Sequence, residues 1–194
     1  FLVRLALSPL LVAILAITLI SIVGYSHLFA RWGVGEFIVA LNFGPFMLLG
    51  TYYVQTGTIS LEPIMIGLTL GILTAGILYI NEFPDTQADM QKGRMHLVAR
   101  WGKATAASRF KFLIASAYFV VVIGVITSAI TPFALISLLA IPKARFAVKH
   151  LSQHYDKVME LVPGMANMVM ATLWTGGLLV VGYLISAFFP LALV

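Results

Sequence analysis

Three of the seven acidic residues in the chain, Glu82, Asp85 and Asp89, lie within eight consecutive positions. Asp85 and Asp89 are four residues apart, so a helix would place both carboxylates on one face with their Cβ atoms about 5–6 Å apart. Two like charges at this distance repel each other unless a cation lies between them. Mg²⁺ commonly binds one or two carboxylates and completes its coordination with water and substrate phosphate. The spacing therefore predicts that Asp85 and Asp89 bind a divalent metal ion, Mg²⁺.

Polar and basic residues on both sides of this acidic pair extend the pattern. Asn81 precedes it at the end of an apolar segment, where a polar group is costly and indicates a functional role. Lys92 and Arg94 follow within one or two helical turns, as donors to a phosphate group would. Pro84, directly before Asp85, predicts that a helix begins there. The pattern indicates metal–phosphate chemistry at a membrane surface, and a solvated loop of mixed charge is the competing interpretation.

The composition limits which elements can position these residues. The chain has 194 residues, of which 61% are apolar and 10% are charged, and its mean hydropathy is +1.02. Soluble domains have about 45–50% apolar and about 25% charged residues, so this composition excludes an ordinary soluble domain, and its hydrophobicity excludes disorder. The absence of cysteine excludes disulfides and thiolate metal sites. We do not expect nucleic acid as a partner, because most of the surface would face lipid.

Six hydrophobic segments are candidate membrane spans. They extend over approximately Leu5–Tyr25, Phe37–Gln55, Pro63–Ile80, Phe112–Ile130, Pro132–Ile141 and Leu161–Phe189. Five of them have about the length that crosses a hydrocarbon core of roughly 30 Å, whereas the fifth is short. We predict an all-α polytopic membrane helix bundle with about six transmembrane helices, which forms a single domain over residues 1–194.

The distribution of basic residues supports six crossings and predicts an orientation. If all six segments span, 11 of the 12 lysines and arginines lie on one side and only Arg4 lies on the other. Basic loops mark the cytoplasmic side of a membrane protein. We therefore expect the Asp85–Asp89 region to be cytoplasmic and both ends of this chain to lie outside.

The residues from Asn81 onward also resemble a known motif. The pattern is Asn81-x3-Asp85-x3-Asp89-x3-Gly93-Arg94-x2-Leu97, followed by Val98-Ala99-Arg100-Trp101-Gly102. It resembles the second aspartate-rich motif of the UbiA superfamily of membrane prenyltransferases. Further stretches resemble its 1,4-dihydroxy-2-naphthoate polyprenyltransferase branch, which acts in menaquinone biosynthesis: Gly35–Phe37, Asn42–Pro45, Gly50–Gly57 and Leu161–Pro163.

The resemblance implies nine helices and two aspartate-rich motifs, of which this chain fits the last six helices and the second motif. The first motif, of the type Asn-Asp-x-x-Asp, is not found in the sequence, and the chain begins with Phe1. We therefore expect the natural N-terminus to lie upstream, and this chain to be inactive alone if the first motif is truly absent. His96 is a departure, because the family commonly has a small hydroxyl residue there.

The resemblance also implies a reaction, the Mg²⁺-dependent transfer of a prenyl group from an allylic prenyl diphosphate to an aromatic quinone precursor. It favours 1,4-dihydroxy-2-naphthoate as the acceptor. Asp85 and Asp89 would bind the metal, while Asn81, Lys92 and Arg94 would bind the diphosphate. The expected location is a bacterial or archaeal cell membrane, with lipid around the helices.

Other functions are weighed against this one. The same chemistry could act on another acceptor, such as 4-hydroxybenzoate. A non-catalytic six-helix transporter or subunit would have polar residues along several spans and internal symmetry, and neither is evident. A CDP-alcohol phosphatidyltransferase would need an Asp-Gly pair, which the sequence lacks.

Several aromatic and polar residues are candidates for a substrate pocket, although anchoring at the membrane interface or packing is favoured for each. They are Tyr25, His27, Tyr52, Tyr53, Gln55 and Trp101. Residues 143–160 predict an amphipathic cytoplasmic helix. Its two histidines, His150 and His154, are four apart and could suit a metal, but a solvated or membrane-surface face is favoured because no third ligand is close.

Overall fold

The computed structural model describes residues 8–189, apart from the side chains of Ser26 and His27. The side chain of His27 and the start of the first predicted span therefore lie outside what the structure describes. Within the described part every regular element is helical, which confirms the predicted all-α bundle. The α-helices of five or more residues are, in chain order, α1 (Pro9–Gly24), α2 (Gly35–Leu41), α3 (Met47–Thr56), α4 (Leu61–Gln91), α5 (Leu97–Trp101), α6 (Lys103–Ile126), α7 (Ile141–His154) and α8 (Val158–Phe188). A π-helical turn (Tyr25–Phe29) and a short α-helical turn (Ala30–Trp32) lie between α1 and α2.

Among the described residues, four helical stretches are long and apolar enough to cross a membrane: Gly35–Thr56, α4, α6 and α8. The first of these joins α2 to α3 through a π-helical turn at Asn42–Phe46. α1 is apolar but shorter, with 16 residues. α4 has 31 residues, about 46 Å at 1.5 Å per residue, which exceeds the roughly 30 Å of a hydrocarbon core. One end of α4 therefore projects beyond the apolar layer.

The long helix α4 does not begin where the sequence pattern predicted a helix start. Its N-cap is Ser60, whose hydroxyl accepts a hydrogen bond from the backbone N–H of Glu62 at 3.2 Å. Pro84 lies inside the helix, so the prediction that a helix begins there was wrong. A proline removes one helical hydrogen bond. The helix nevertheless continues, because Phe83 and Thr86 on either side of the proline are buried in the bundle.

Glycines allow α4 to pack directly against the bent helix before it. A β-carbon on Gly44 would collide with the backbone oxygen of Gly67, and one on Gly71 would collide with the backbone oxygen of Ala40. Gly44 itself has non-helical angles, φ −120° and ψ −105°, at the bend before Pro45. Small residues of this kind let membrane helices approach closely. The close approach fixes α2 beside α4.

The fifth predicted span has a different structure from the others. Pro132–Ala140 forms a 3₁₀ helix of nine residues, and at about 2.0 Å per residue it is too short to cross a membrane alone. Ala134, Ser137 and Ala140 are buried, and the 3₁₀ helix packs mainly against α8. It continues directly into α7, whose Ala144, Ala147 and Leu151 are buried while its basic residues face outward. An amphipathic helix is therefore present over Ile141–His154, but it does not extend to residue 160 as predicted, because α8 begins at Val158.

The 3₁₀ helix and α7 together connect the two ends of the bundle. Ile130, just before the 3₁₀ helix, packs in a cluster with Met65 near the start of α4. At the other end, a β-carbon on Gly164 of α8 would lie 3.2 Å from the ring of His150 and 3.5 Å from Ile80 of α4. The basic residues of α7 therefore lie at the same end of the bundle as Asp85 and Asp89.

Candidate active site

A polar cavity of about 210 Å³ lies beside the C-terminal turns of α4. Four of the five predicted site residues line it: Asn81, Asp85, Asp89 and Arg94. The other lining residues are Tyr25, Ala30, Gly35, Leu78, Glu82 and His96. The helical spacing of Asn81, Asp85 and Asp89 places all three on one face of α4, as the sequence pattern required. Oxygen donors from two carboxylates and an amide in one cavity fit a hard cation such as Mg²⁺.

Arg94 reaches this cavity because the chain turns sharply after α4. Gly93 has φ 73°, a left-handed conformation that glycine adopts without steric cost. The turn lets the backbone N–H of Arg94 donate to the backbone oxygen of Asp89 at 2.9 Å. The Arg94 guanidinium then forms an ion pair with Asp89, with Nη1 and Oδ1 3.1 Å apart. One oxygen of Asp89 is thus paired with arginine, and Oδ2 is left for other partners.

Lys92 has a different position from the other predicted site residues. It is exposed and forms the C-cap of α4, donating its backbone N–H to the backbone oxygen of Asp89 at 3.0 Å. Its side chain does not line the cavity. The lysine therefore lies beside the rim, where its charge acts over a longer distance.

A buried acid that the sequence analysis missed, Glu36, lies next to this cavity. Only 4% of Glu36 is exposed, and its Oε1 accepts a hydrogen bond from the backbone N–H of Leu97 at 2.8 Å. The bond joins the start of α2 to the start of α5, across 61 residues of sequence. The sequence signal that could have identified Glu36 is its position at the edge of an apolar segment, because a buried acid is costly unless it has a partner.

His96 is the N-cap of α5 and is also buried. Its Nδ1 accepts a hydrogen bond from the backbone N–H of Ala99 at 3.3 Å. Burial lowers the pKa of His96 below its ordinary value of 6.5, so the imidazole is neutral at neutral pH. Because Nδ1 accepts a hydrogen bond, the proton of the neutral imidazole is on Nε2, which lies 3.7 Å from Oδ2 of Asp89. The histidine connects the acidic end of α4 to the loop that carries Arg94.

A large apolar groove adjoins the polar cavity. Its volume is about 970 Å³, and it lies between α1 and the bent helix Gly35–Thr56. Leu11, Phe46 and Val54 are among its lining residues. Tyr25 lines both the groove and the polar cavity. The two spaces therefore meet at one tyrosine, with charged groups on one side and hydrocarbon on the other.

Of the other candidate pocket residues, some line the groove and others line neither the groove nor the polar cavity. Gln55 lines the apolar groove, as Tyr25 does. Tyr52, Tyr53 and Trp101 line neither of these two spaces. The hydroxyl of Tyr53 accepts a hydrogen bond from Ser8 at 3.0 Å, and the ring of Trp101 stacks under the guanidinium of Arg109 at 4.4 Å.

The two histidines of α7 form a surface cluster away from the cavity. The rings of His150 and His154 stack with their centroids 4.3 Å apart, and Nε2 of His154 lies 3.4 Å from a carboxylate oxygen of Glu160. Neither histidine lines the polar cavity. The metal-ligating interpretation of this pair stays untested.

Comparison with known proteins identifies a family and several relatives of this chain. The model of the UbiA prenyltransferase family matches residues 1–160. The chain is 30% identical to the 1,4-dihydroxy-2-naphthoate octaprenyltransferase of Bacillus subtilis, over 79% of this chain and 49% of the relative. It is 25% identical to the 2-carboxy-1,4-naphthoquinone phytyltransferase of Synechocystis, over 78% and 49% of the two chains. It is also 25% identical to the 1,4-dihydroxy-2-naphthoate octaprenyltransferase of Escherichia coli, over 79% and 50%.

The match to the family model covers the polar cavity completely, because all of its lining residues lie within positions 1–160. The chain spans about half the length of the curated relatives it matches. No solved structure matches it. With four helices able to cross a membrane and a family match over most of its length, the chain is an integral membrane protein that belongs to the UbiA prenyltransferase family.

Proposed function

We propose that the protein transfers a prenyl group from an allylic prenyl diphosphate to an aromatic acceptor. The observation that supports this most directly is the junction at Tyr25, where the polar cavity meets the apolar groove. A prenyl diphosphate has the same division, with a charged head and a long hydrocarbon tail. The head would bind beside Asp85 and Asp89, and the tail would lie in the groove.

The residues of the polar cavity have distinct roles in this proposal. Asp85 and Asp89 would hold Mg²⁺, which when bound would supply positive charge and a template for the leaving diphosphate. Arg94 offers several N–H donors to the same phosphate oxygens, and the amide of Asn81 orients them. Lys92 adds positive charge from the rim. Together these groups stabilise the charge that develops when the carbon–oxygen bond of the donor breaks.

The groove contributes by binding the tail and by limiting water at the reacting carbon. Its lining is mostly apolar side chains, with Asn42, Thr51 and Gln55 among the few polar ones. An allylic carbocation that forms near Tyr25 would be attacked by the electron-rich ring of the acceptor before water reaches it. The prenyl–ring bond forms, the ring loses a proton, and diphosphate leaves.

The preferred acceptor in this proposal is 1,4-dihydroxy-2-naphthoate, as in menaquinone biosynthesis. The Bacillus subtilis and Escherichia coli relatives are named for this acceptor, and the Synechocystis relative is named for a naphthoquinone. The acceptor's carboxyl group leaves as CO₂, and a proton takes its place on the ring. The basic residues of the α4–α5 connection and of α7, at one end of the bundle, support a cytoplasmic location for the reaction.

A transfer assay with matched variants tests the function. Membranes that contain the complete gene product are supplied with a labelled prenyl diphosphate, Mg²⁺, and either 1,4-dihydroxy-2-naphthoate or 4-hydroxybenzoate. We expect prenylated naphthoate to form, and we expect Asp85→Asn to reduce its formation by about 100-fold or more, because an electrostatic contact made in the transition state is lost. Glu160→Gln, an exposed acid on α8, is the control and should retain activity.

Three outcomes would count against this proposal. Normal turnover by a folded Asp85→Asn protein would show that Asp85 is not a required metal ligand. Prenylation of 4-hydroxybenzoate alone would assign a different acceptor. Absence of any transfer by the complete gene product, with intact folding, would favour a non-catalytic membrane protein.

A further inference from the structure

Three buried side chains from distant parts of the sequence meet behind the aspartate pair. Glu36 begins α2, Glu82 lies on α4 and His96 caps α5. One ligand atom from each residue lies within 4.8 Å of the other two. The exposed fractions of the three residues are 4%, 7% and 5%. The cluster is therefore held by three different helices and is almost closed to solvent.

The two carboxylates in this cluster lack the partners that buried acids usually have. Oε2 of Glu36 and Oε2 of Glu82 are buried and accept no hydrogen bond from the described residues. Within the same residues, neither acid forms an ion pair with a lysine or an arginine. A buried, unpaired carboxylate is costly, and two together repel each other. The cluster therefore needs a positive charge, supplied by a proton or by a metal ion.

We propose that Glu36, Glu82 and His96 bind a divalent transition-metal ion at a position separate from the Asp85–Asp89 pair. Two carboxylate oxygens and one imidazole nitrogen are a donor set for zinc and similar metals, whereas Mg²⁺ prefers oxygen ligands and retained water. Three protein ligands leave a fourth position for water, the arrangement of open zinc sites. Glu82 and His96 also line the polar cavity, which would supply the water for this position.

The distance between His96 and Glu82 matches the distance between two neighbouring ligand atoms in a metal site. Nδ1 of His96 lies 3.4 Å from Oε2 of Glu82. Metal–ligand bonds of about 2.1 Å in a tetrahedral arrangement separate neighbouring ligand atoms by about 3.4 Å. Small shifts of the Glu36 side chain would complete the third contact, and its Oε1 is already fixed by the backbone of Leu97.

The protonation of His96 also suits metal binding. Nδ1 already acts as an acceptor, because it receives the Ala99 N–H in a long hydrogen bond of 3.3 Å. A metal would replace this weak bond at the same lone pair. Nε2 then keeps its proton and points to Oδ2 of Asp89, 3.7 Å away. A metal-bound histidine typically directs its second N–H to a carboxylate in this way, which orients the ring.

A metal at this position would join α2, α4 and α5, and it would fix the loop before α5 that carries Arg94. It would also cancel the negative charge of two buried acids directly behind Asp89. The role is therefore structural and electrostatic, and it does not depend on whether the protein transfers prenyl groups.

The experiment measures Zn²⁺ binding to the full chain in detergent. The other three histidines, His27, His150 and His154, are first changed to glutamine, so that surface imidazoles do not contribute. Competition with a chromophoric chelator should then give one equivalent of bound Zn²⁺, and X-ray absorption at the zinc edge should show one nitrogen ligand among oxygens. Zn²⁺ should raise the unfolding temperature, because it binds only the folded state.

Matched variants assign the site. Glu36→Gln, Glu82→Gln and His96→Asn should each weaken Zn²⁺ binding by about tenfold or more, whereas Asp85→Asn should leave the affinity unchanged. Asparagine is a favourable N-cap, so His96→Asn removes the imidazole while α5 keeps a capping oxygen. That variant therefore decides the question even if a glutamine variant fails to fold.

Two results would overturn the proposal. One is the absence of a bound equivalent of Zn²⁺ in the folded histidine-depleted chain, which would mean that the two acids share a proton instead. The other is an unchanged affinity in folded His96→Asn. Because the readout is metal binding rather than product formation, a failure here is distinct from a failure of the proposed prenyl transfer.

Discussion

The packing around α4 and the packing beside α1 differ in how closely the chain fills space. At α4, glycines bring two helical backbones into contact, and Phe83 and Met168 are completely buried. Beside α1, a groove of about 970 Å³ stays open between helices, and Leu15, Leu19 and several other apolar residues of α1 are exposed. The tight region, around α4, contains the charged groups, and the loose region, beside α1, contains the apolar groove.

This difference follows from what each region would have to hold. A metal ion and a diphosphate need ligands at fixed distances and angles, because Mg²⁺ demands near-ideal octahedral geometry. A hydrocarbon tail needs apolar surface but no particular angle, and its contacts are individually weak. Rigid packing is therefore useful at the end of α4, whereas a deformable groove is sufficient beside α1.

The largest expected effect comes from filling the tight region. Gly71→Ala places a β-carbon against the backbone oxygen of Ala40, so we expect the free energy of unfolding to fall by about 3 kcal/mol or more. Gly177→Ala is the matched control on α8, because no atom of residues 8–189 lies within 4 Å of its new β-carbon. It should be neutral or stabilising by up to about 1 kcal/mol. Reversible unfolding in detergent measures both, and equal effects would contradict the comparison.

A smaller effect is expected from changing the basic groups beside the polar cavity. Arg94→Lys retains the positive charge but loses the planar group that pairs with Asp89 and would bind phosphate oxygens. We expect the Kd of a prenyl diphosphate in the presence of Mg²⁺ to rise by about tenfold. Lys92→Gln, at the exposed rim, should raise it only about twofold, because solvent and salt screen its charge. If Lys92→Gln raised the Kd more than Arg94→Lys, Lys92 rather than Arg94 would be the main contact of the diphosphate.

The smallest effect is expected in the loose region. Gly50 lines the groove, and within the described part of the chain no atom lies within 4 Å of a β-carbon built on it. Gly50→Leu should therefore fold normally while it occupies part of the groove. We expect the KM for a long-chain prenyl diphosphate to rise by about fivefold, with little change for a short donor. Steady-state kinetics with the two donors measure this, and an equal change for both would argue against binding of the tail in the groove.

Local sequence spacing was sufficient to predict much of the site. Asn81, Asp85 and Asp89 are related by helical periodicity, so their common face follows from sequence alone once α4 is a helix. The continuation of α4 through Pro84 was not predictable in the same way, because burial of Phe83 and Thr86 maintains the helix against the intrinsic preference of proline.

Contacts between distant residues account for what the sequence could not predict. Glu36 meets Leu97 across 61 positions, and nothing near Glu36 in the sequence indicates that partner. The short fifth segment is similar, because its 3₁₀ helix depends on close packing with α8, where a β-carbon on Gly182 would contact the backbone at Phe133 and Ala134. Hydropathy predicted the number of apolar segments but not the helix type of this one.

The central claim is that the head of a prenyl diphosphate binds at the end of α4 while its tail occupies the groove beside α1. A prenyl diphosphate with a photoreactive group at the far end of its tail tests this directly, with cross-linked peptides identified by mass spectrometry. We expect Mg²⁺-dependent labelling of groove residues such as Leu11, Phe46 and Val54, and its loss in Asp85→Asn. Labelling confined to the lipid-facing residues of α6 and α8, or labelling that is independent of Mg²⁺, would contradict the account.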